Sequence, residues 1–110
     1  MKGAITVLKQ EDKSILLQPQ IARYSLIWLH GLGDTSAGFL DYFDIPISPA
    51  YHGARVKLLH APIQPVTING GMSMPSWYDI KTLGFDQKRD EDKCSLDQVK
   101  SSMEILNKKV

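Results

Sequence analysis

The sequence predicts an α/β fold, and three stretches carry this prediction. Tyr24 to His30 is an almost unbroken apolar run that leads into two glycines and an aspartate, as expected of a parallel strand buried on both faces. Arg55 to His60 is a second short run of strand-forming residues. Ser95 to Val110 carries apolar residues three to four positions apart, which predicts an amphipathic helix. Strand, glycine turn and helix start together form the place where open α/β sheets bind ligands.

The remaining elements follow from shorter signals. Gly3 to Leu8 and Ser14 to Leu17 are predicted to form a β-hairpin around a polar turn. Ser36 to Phe43 has helical spacing of its apolar residues, and Thr35 or Ser36 offers its N-cap. Gln64 to Gly84 is predicted to be a long loop, and its apolar content indicates that it packs over a site.

Two packing predictions and one capping prediction can be tested against a structure. Trp28 lies in the predicted central strand and is expected in the core. The apolar stripe of the last helix is also expected to pack in the core. Its members are Leu96, Val99, Met103, Leu106 and Val110. Ser95 with Gln98 three residues later predicts a capping box at the start of that helix.

Composition limits the class of protein. The 110 residues suffice for one domain, predicted to cover residues 1–110, and 43% hydrophobic residues argue against disorder. The formal net charge of +1 is spread over interspersed acids and bases, so no nucleic-acid partner is expected. No apolar run reaches the roughly 18–20 residues of a membrane span. The only cysteine, Cys94, fits a reducing compartment, and a cytoplasmic protein is expected. No His, Cys, Asp or Glu cluster has metal-ligand spacing, so no metal or cofactor is expected.

Two blocks of the sequence resemble a known family. The first block runs from Trp28 to Thr35, and the second runs from His60 to Ile80. Both occur in the order and at the separation found in the acyl-protein thioesterase branch of the phospholipase/carboxylesterase family of α/β-hydrolases. Leu59 stands where that family has proline, Ser73 where it usually has alanine, and Tyr78 where it has phenylalanine. The resemblance covers nearly the whole chain and implies the N-terminal part of an α/β-hydrolase fold.

The resemblance implies a serine hydrolase that cleaves thioesters of fatty-acylated proteins or esters of lysophospholipids. The backbone N–H of Leu32 then corresponds to one oxyanion-hole donor, fixed in a glycine-flanked turn. The family's segment that includes Trp77 lines an acyl channel, although the residues alone leave Trp77 equally compatible with a core position. The substrate-binding positions that the resemblance implies are Gly31, Gly33, Met74, Pro75 and Trp77.

The catalytic triad of the family has no counterpart in this sequence. Its nucleophile lies on a G-x-S-x-G turn after the next strand, followed by an aspartate and a histidine. The nearest pattern here, Gly71-x-Ser73-x-Pro75, has proline in place of the last glycine, so Ser73 is interpreted as a loop serine. The resemblance makes His30 a structural residue of the turn and His60 a strand-end residue. The sequence therefore contains the oxyanion-turn half of a hydrolase and is expected to be inactive alone.

Three interpretations of such a half remain open. The chain is an incomplete product of a thioesterase-like gene, a non-catalytic protein that binds a partner or lipid, or one half of a split enzyme completed by another chain. In the second and third cases the strand Tyr24 to His30 would pair with a partner, because an apolar strand edge is a template for further strands.

Overall fold

The computed structural model describes residues 5–83 and 93–109 of the chain. Its contacts divide into two compact units, Met1–His60 and Ala61–Val110. Of the positions in the predicted elements, Gly3, Ala4, Gly84 and Val110 lie outside the described residues.

The first unit contains a four-stranded sheet with the strand order β1-β2-β4-β3. Strands β1 (Ile5–Lys9) and β2 (Ile15–Pro19) form the predicted antiparallel hairpin. Strand β4 (Ala54–Leu59) is antiparallel to β2, and β3 (Tyr24–Leu29) is parallel to β4. The parallel pair that the two apolar runs predict is therefore confirmed.

The prediction that the central strand is buried on both faces is wrong. Among the described residues β3 pairs only with β4, so it forms an edge of the sheet. Its side chains are half-buried or exposed, with Tyr24 51% and Leu29 39% exposed. The buried core lies instead around the two inner strands, which have neighbours on both sides. Its residues are Ile15, Leu17, Ala50, Ala54, Val56 and Leu58.

The helix predicted after the glycine turn is present in two short pieces. Ser36–Phe39 forms a 3₁₀ turn, and Leu40–Phe43 forms one turn of α-helix, α1. Thr35 is the N-cap, because its Oγ1 accepts a hydrogen bond from the Gly38 N–H at 3.1 Å.

Trp28 is not a core residue, contrary to the prediction. It is 36% exposed, and its ring lies 5.0 Å from the ring of Phe39 and 5.5 Å from that of Phe43. Its position on the edge strand explains the exposure, since β3 has one neighbouring strand, β4, among the described residues.

The second unit contains a hairpin where the sequence predicts a loop. Strands β5 (Ile63–Val66) and β6 (Met72–Pro75) pair in antiparallel register. The connection ends in Gly70 and Gly71, which have φ angles of +69° and +80°. Pro65 inside β5 and Pro75 at the end of β6 hide these strands in the sequence. In a two-stranded ribbon a missing N–H can face outward, so proline is tolerated there.

The predicted C-terminal helix is confirmed as α2 (Leu96–Lys109), but its apolar stripe is not core. Leu96 is 41% and Met103 is 58% exposed, whereas Ser102 is the buried residue of the helix. The helical period fixes which residues share a face, but it does not determine what covers that face. No helix in the described part of the chain is long and apolar enough to cross a lipid bilayer.

The capping box at the start of α2 is only half formed. The Ser95 Oγ accepts from the Gln98 N–H at 3.3 Å, as predicted. The Gln98 Oε1 does not return to Ser95 but accepts from the Asp79 N–H at 2.6 Å. The Ser95 N–H donates instead to the Asp79 carbonyl at 3.0 Å. Asp79 thus fills both reciprocal positions and links the segment after β6 to the helix.

Candidate functional site

The turn that follows β3 has the geometry of a type II β-turn. The Asp34 N–H donates to the Gly31 carbonyl at 3.1 Å, which closes a four-residue turn. Gly33, at the third position, has a φ of +78°, while Leu32 at the second position has negative φ. A positive φ at the third position alone is the type II pattern, and it requires glycine there. The sequence therefore fixes this turn through Gly33.

The backbone N–H of Leu32 is available to an external acceptor. No described residue accepts a hydrogen bond from it, and the Leu32 side chain is 41% exposed. A donor held in a closed turn needs no reorganisation to meet a negative oxygen. The geometry is therefore compatible with the oxyanion role that the resemblance implies for Leu32.

Two histidines lie beneath this turn. His30 is only 2% exposed, and its Nδ1 lies 2.8 Å from the Gly31 carbonyl oxygen. Its ring centroid is 5.6 Å from that of His60, the residue directly after β4. The His60 Nδ1 accepts the N–H of Ser36 at 3.2 Å. The Ser36 hydroxyl in turn donates to the Lys13 carbonyl at 2.6 Å.

The surroundings of His60 favour its neutral form. Burial lowers the pKa of His60, and the nearby His30 and Lys13 lower it further, whereas Asp12 acts in the opposite direction. Because Nδ1 accepts a hydrogen bond, the ring proton of neutral His60 lies on Nε2. That atom is buried and has no hydrogen-bond partner among the described residues.

The second group of predicted site residues lies at the end of β6. Met74, Pro75 and Trp77 are all half-buried, and the Asn69 amide lies 3.5 Å from the Met74 sulfur. Ser76 between them is 1% exposed. These apolar residues thus lie on one short segment. The intermediate burial of Trp77 does not decide between a core position and a position on the wall of an acyl channel.

Hydrogen bonds fix the backbone of this segment. The Ser76 N–H donates to the Pro62 carbonyl at 2.9 Å, and its hydroxyl donates to the Tyr78 carbonyl at 2.6 Å. The Ser102 hydroxyl of α2 donates to the Trp77 carbonyl. Gly31, Leu32 and Gly33 belong to the first unit, and this segment belongs to the second.

Asp79 is a connecting residue that the sequence reasoning missed. One carboxylate oxygen accepts the Thr67 N–H at 2.7 Å, and the other accepts the Thr67 hydroxyl at 2.6 Å. These two hydrogen bonds lower the pKa of Asp79, the hydroxyl contributing most. The sequence held no local signal for this contact, because the two residues are twelve positions apart across an unrecognised hairpin.

Ser73 lies in β6, opposite Pro65, and its side chain is exposed. The interpretation as a loop serine was wrong in its secondary structure, since Gly70 and Gly71 already complete the turn before the strand. A residue within a strand does not have the strand-to-helix geometry of a nucleophile turn. Cys94 is half-buried, and its backbone forms an isolated β-bridge with Ile80. No cluster of three potential metal ligands occurs within residues 5–83 and 93–109.

Comparison with known proteins defines the family. The Phospholipase/Carboxylesterase family model matches residues 11–109, and the chain belongs to this family. The acyl-protein thioesterase 1 homolog 1 of Dictyostelium discoideum is 40% identical over 104 residues, which are 93% of this chain and 45% of that protein. An acyl-protein thioesterase 1 of Mycosarcoma maydis is 48% identical over 82 residues, or 74% of this chain and 33% of the relative.

Solved structures show the same fold. The crystal structure of Arabidopsis thaliana SOBER1 has a TM-score of 0.59 and 31% identity, covering 80% of this chain and 42% of that one. Zea mays acyl-protein thioesterase 2 also has a TM-score of 0.59, at 22% identity, over 91% of this chain and 36% of its own. The fold is therefore that of the α/β-hydrolases, and the chain spans less than half the length of these relatives.

Proposed function

We propose that this chain provides the oxyanion-turn half of a serine hydrolase that cleaves thioesters of fatty-acylated proteins. The open N–H of Leu32 is the observation that carries this proposal. As a bound carbonyl becomes tetrahedral, negative charge develops on its oxygen, and this N–H would stabilise it. The nucleophile, the triad aspartate and histidine, and the second oxyanion donor lie outside the 110 residues in this proposal, and the chain alone has no turnover.

The names of the relatives support the thioesterase reaction over other reactions of the fold. The half-buried Met74, Pro75 and Trp77 would contact the acyl chain, since a fatty-acyl group needs an apolar wall. We further propose one partial α/β-hydrolase domain over residues 1–110 and a cytoplasmic location, which the single cysteine supports. Lysophospholipid esters are the second substrate class, which the family description supports.

A chimera tests the proposal. The 104 matching residues of the Dictyostelium discoideum relative are replaced by those of this chain, and hydrolysis of a fatty-acyl thioester and of a lysophospholipid is measured. We expect thioester turnover. Leu32→Pro removes the N–H and the leucine side chain but should keep the turn, because proline is favoured at the second position of a type II turn. Removing one oxyanion donor lowers kcat by about 10²- to 10³-fold.

Leu32→Ala is the matched variant, since it shortens the same side chain and keeps the N–H. The loss attributable to the donor is the ratio of kcat between the Ala and Pro variants. A folded chimera without thioester turnover would contradict the proposed function. Equal kcat values for the two variants would show that the Leu32 N–H is not an oxyanion donor.

Pairing along β3 is the second candidate function, and the exposed apolar edge favours it. Tyr24, Trp28 and Leu29 are each at least 36% exposed on a strand with one described neighbour. An isolated edge of this kind can add a strand from another chain. Slow amide exchange along β3 in the purified native sample would support such pairing, and rapid exchange there would exclude it.

A further inference from the structure

We propose that His60 is a positioning residue that holds the Leu32 turn through its neutral imidazole and releases it when protonated. This inference rests on the proposed role of the Leu32 N–H, which it deepens. It concerns the chain's own hydrogen bonds and can be tested without turnover.

His60 contacts the chain on both sides of the turn. Before the turn, its ring lies 5.6 Å from that of His30, whose Nδ1 is 2.8 Å from the Gly31 carbonyl oxygen. After the turn, its Nδ1 accepts the Ser36 N–H. The turn itself is closed by a single backbone hydrogen bond, from Asp34 to Gly31. His60 therefore contacts both His30, which precedes the turn, and Ser36, which follows it.

Ser36, which donates its N–H to His60, is itself firmly anchored in the first unit. It is 5% exposed, and its hydroxyl donates to the Lys13 carbonyl at 2.6 Å, so both of its polar groups are anchored within the first unit. Lys13 has a φ of +70°, a conformation that non-glycine residues rarely adopt and that is retained only when the surroundings fix it. The hairpin loop, Ser36 and His60 thus form one connected support for the helical segment that begins after the turn.

Protonation of His60 would break the hydrogen bond that its Nδ1 accepts from the Ser36 N–H. The second proton of an imidazolium is placed on Nδ1, where it meets the N–H of Ser36, so the only acceptor becomes a donor. The Nε2–H already lacks a described partner, and protonation would also leave the Nδ1–H and the Ser36 N–H facing each other without an acceptor. The titratable groups that face His60 are His30 at the end of β3 and Asp12 and Lys13 in the hairpin loop.

The direction of the pH effect follows from these neighbours. Burial, His30 and Lys13 lower the pKa of His60 below its ordinary 6.5 in the folded chain. Between that lowered pKa and 6.5 the unfolded chain binds more protons than the folded chain, so stability rises with pH in this window. The support is therefore complete above about pH 6.5 and is lost as the pH falls through the folded pKa of His60.

Amide NMR of the 110-residue chain tests the inference. Between about pH 7.5 and about pH 5, the Ser36 and Leu32 amide resonances are expected to titrate with the midpoint of the His60 ring. Protection of the Ser36 amide from exchange, corrected for intrinsic rates, is expected to fall on the order of two- to tenfold, the value of one neutral hydrogen bond.

Two variants separate His60 from its neighbours. In His60→Asn the amide oxygen replaces Nδ1 as acceptor but does not titrate, so the Ser36 protection should persist and the pH inflection should vanish. His60→Leu removes the acceptor and should show low Ser36 protection at every pH. Should the leucine variant not fold, the asparagine variant still decides the question.

Three results would overturn the inference. These are an absence of titration at Ser36 in the wild-type chain, a midpoint that follows His30 or Asp12 instead, and an unchanged inflection in His60→Asn. In an active chimera, the same asparagine substitution should remove the contribution of His60 to the acidic side of the kcat profile, while that of the triad histidine remains. An inactive chimera would refute the proposed function and leave the NMR result valid, so the two failures are distinguishable.

Discussion

Asp79→Ala should loosen the hairpin of the second unit, because it removes both hydrogen bonds that Thr67 donates. The two distances, 2.7 and 2.6 Å, are those of strong bonds to a carboxylate. Bonds to charged groups contribute about 1.5–3 kcal/mol each, but the exposure of this pair reduces that value. We therefore expect a loss of about 2 kcal/mol for Asp79→Ala and about 1 kcal/mol for Thr67→Val.

Amide exchange at Ile68 measures this loss locally, since its N–H donates to the Ile80 carbonyl at 2.9 Å, beside the Thr67–Asp79 contact. A loss of about 2 kcal/mol corresponds to exchange that is roughly 30-fold faster. Thr6→Val on the exposed β1 is the matched control and should change stability by less than about 0.5 kcal/mol. Additive effects in the Asp79→Ala/Thr67→Val double-mutant cycle would refute the reasoning, because a shared contact requires coupling.

The hydrogen bonds between Thr67 and Asp79 also predict that the stability of the fold depends on pH. They hold the pKa of Asp79 below the ordinary 3.8, so the folded state gains stability above that pH. This gain is lost as the pH falls through the lowered pKa of the folded state. Thr67→Val removes the largest cause and should return the Asp79 pKa toward 3.8, which a carboxyl NMR titration measures.

Two further pairs of substitutions test the turn and the α2 contact. Gly33→Ala places a side chain at a φ of +78° and should lower the free energy of unfolding by about 1 kcal/mol. Gly31→Ala meets no atom within 4 Å and should cost less than about 0.5 kcal/mol. Ser102→Ala removes the hydrogen bond from the Ser102 hydroxyl to the Trp77 carbonyl and should cost about 1 kcal/mol, whereas the exposed Ser101→Ala should be nearly neutral. Urea unfolding measures all four, and equal values within either pair would contradict the respective structural reason.

Local patterns in the sequence were sufficient for much of the fold. The hairpin, the parallel pair and α2 follow from residue periods that are set by the backbone itself. The turn after β3 was also predictable, because Gly33 fits a backbone conformation that other residues rarely adopt. The resemblance to a known family supplied the predicted site residues. The comparison with known proteins then confirmed the family and the fold.

The burial of individual side chains and the contacts between distant residues could not be predicted from local sequence patterns. Trp28 and Met103 are as apolar as core residues, but what covers a residue depends on elements distant in the sequence. The β5–β6 hairpin was missed because its prolines are typical of loops, although they also suit a two-stranded ribbon. Asp79 was missed for the related reason that its partners, Thr67 and Gln98, lie 12 and 19 residues away.

Fluorophosphonate labelling of the purified 110-residue chain, with peptide mapping and a p-nitrophenyl ester assay, tests the central proposal most directly. We predict no labelled serine and no turnover, because the sequence supplies an oxyanion donor but no G-x-S-x-G nucleophile. Labelling of a serine within this chain, Ser73 above all, together with ester turnover, would contradict the proposal and show a complete active site within these residues.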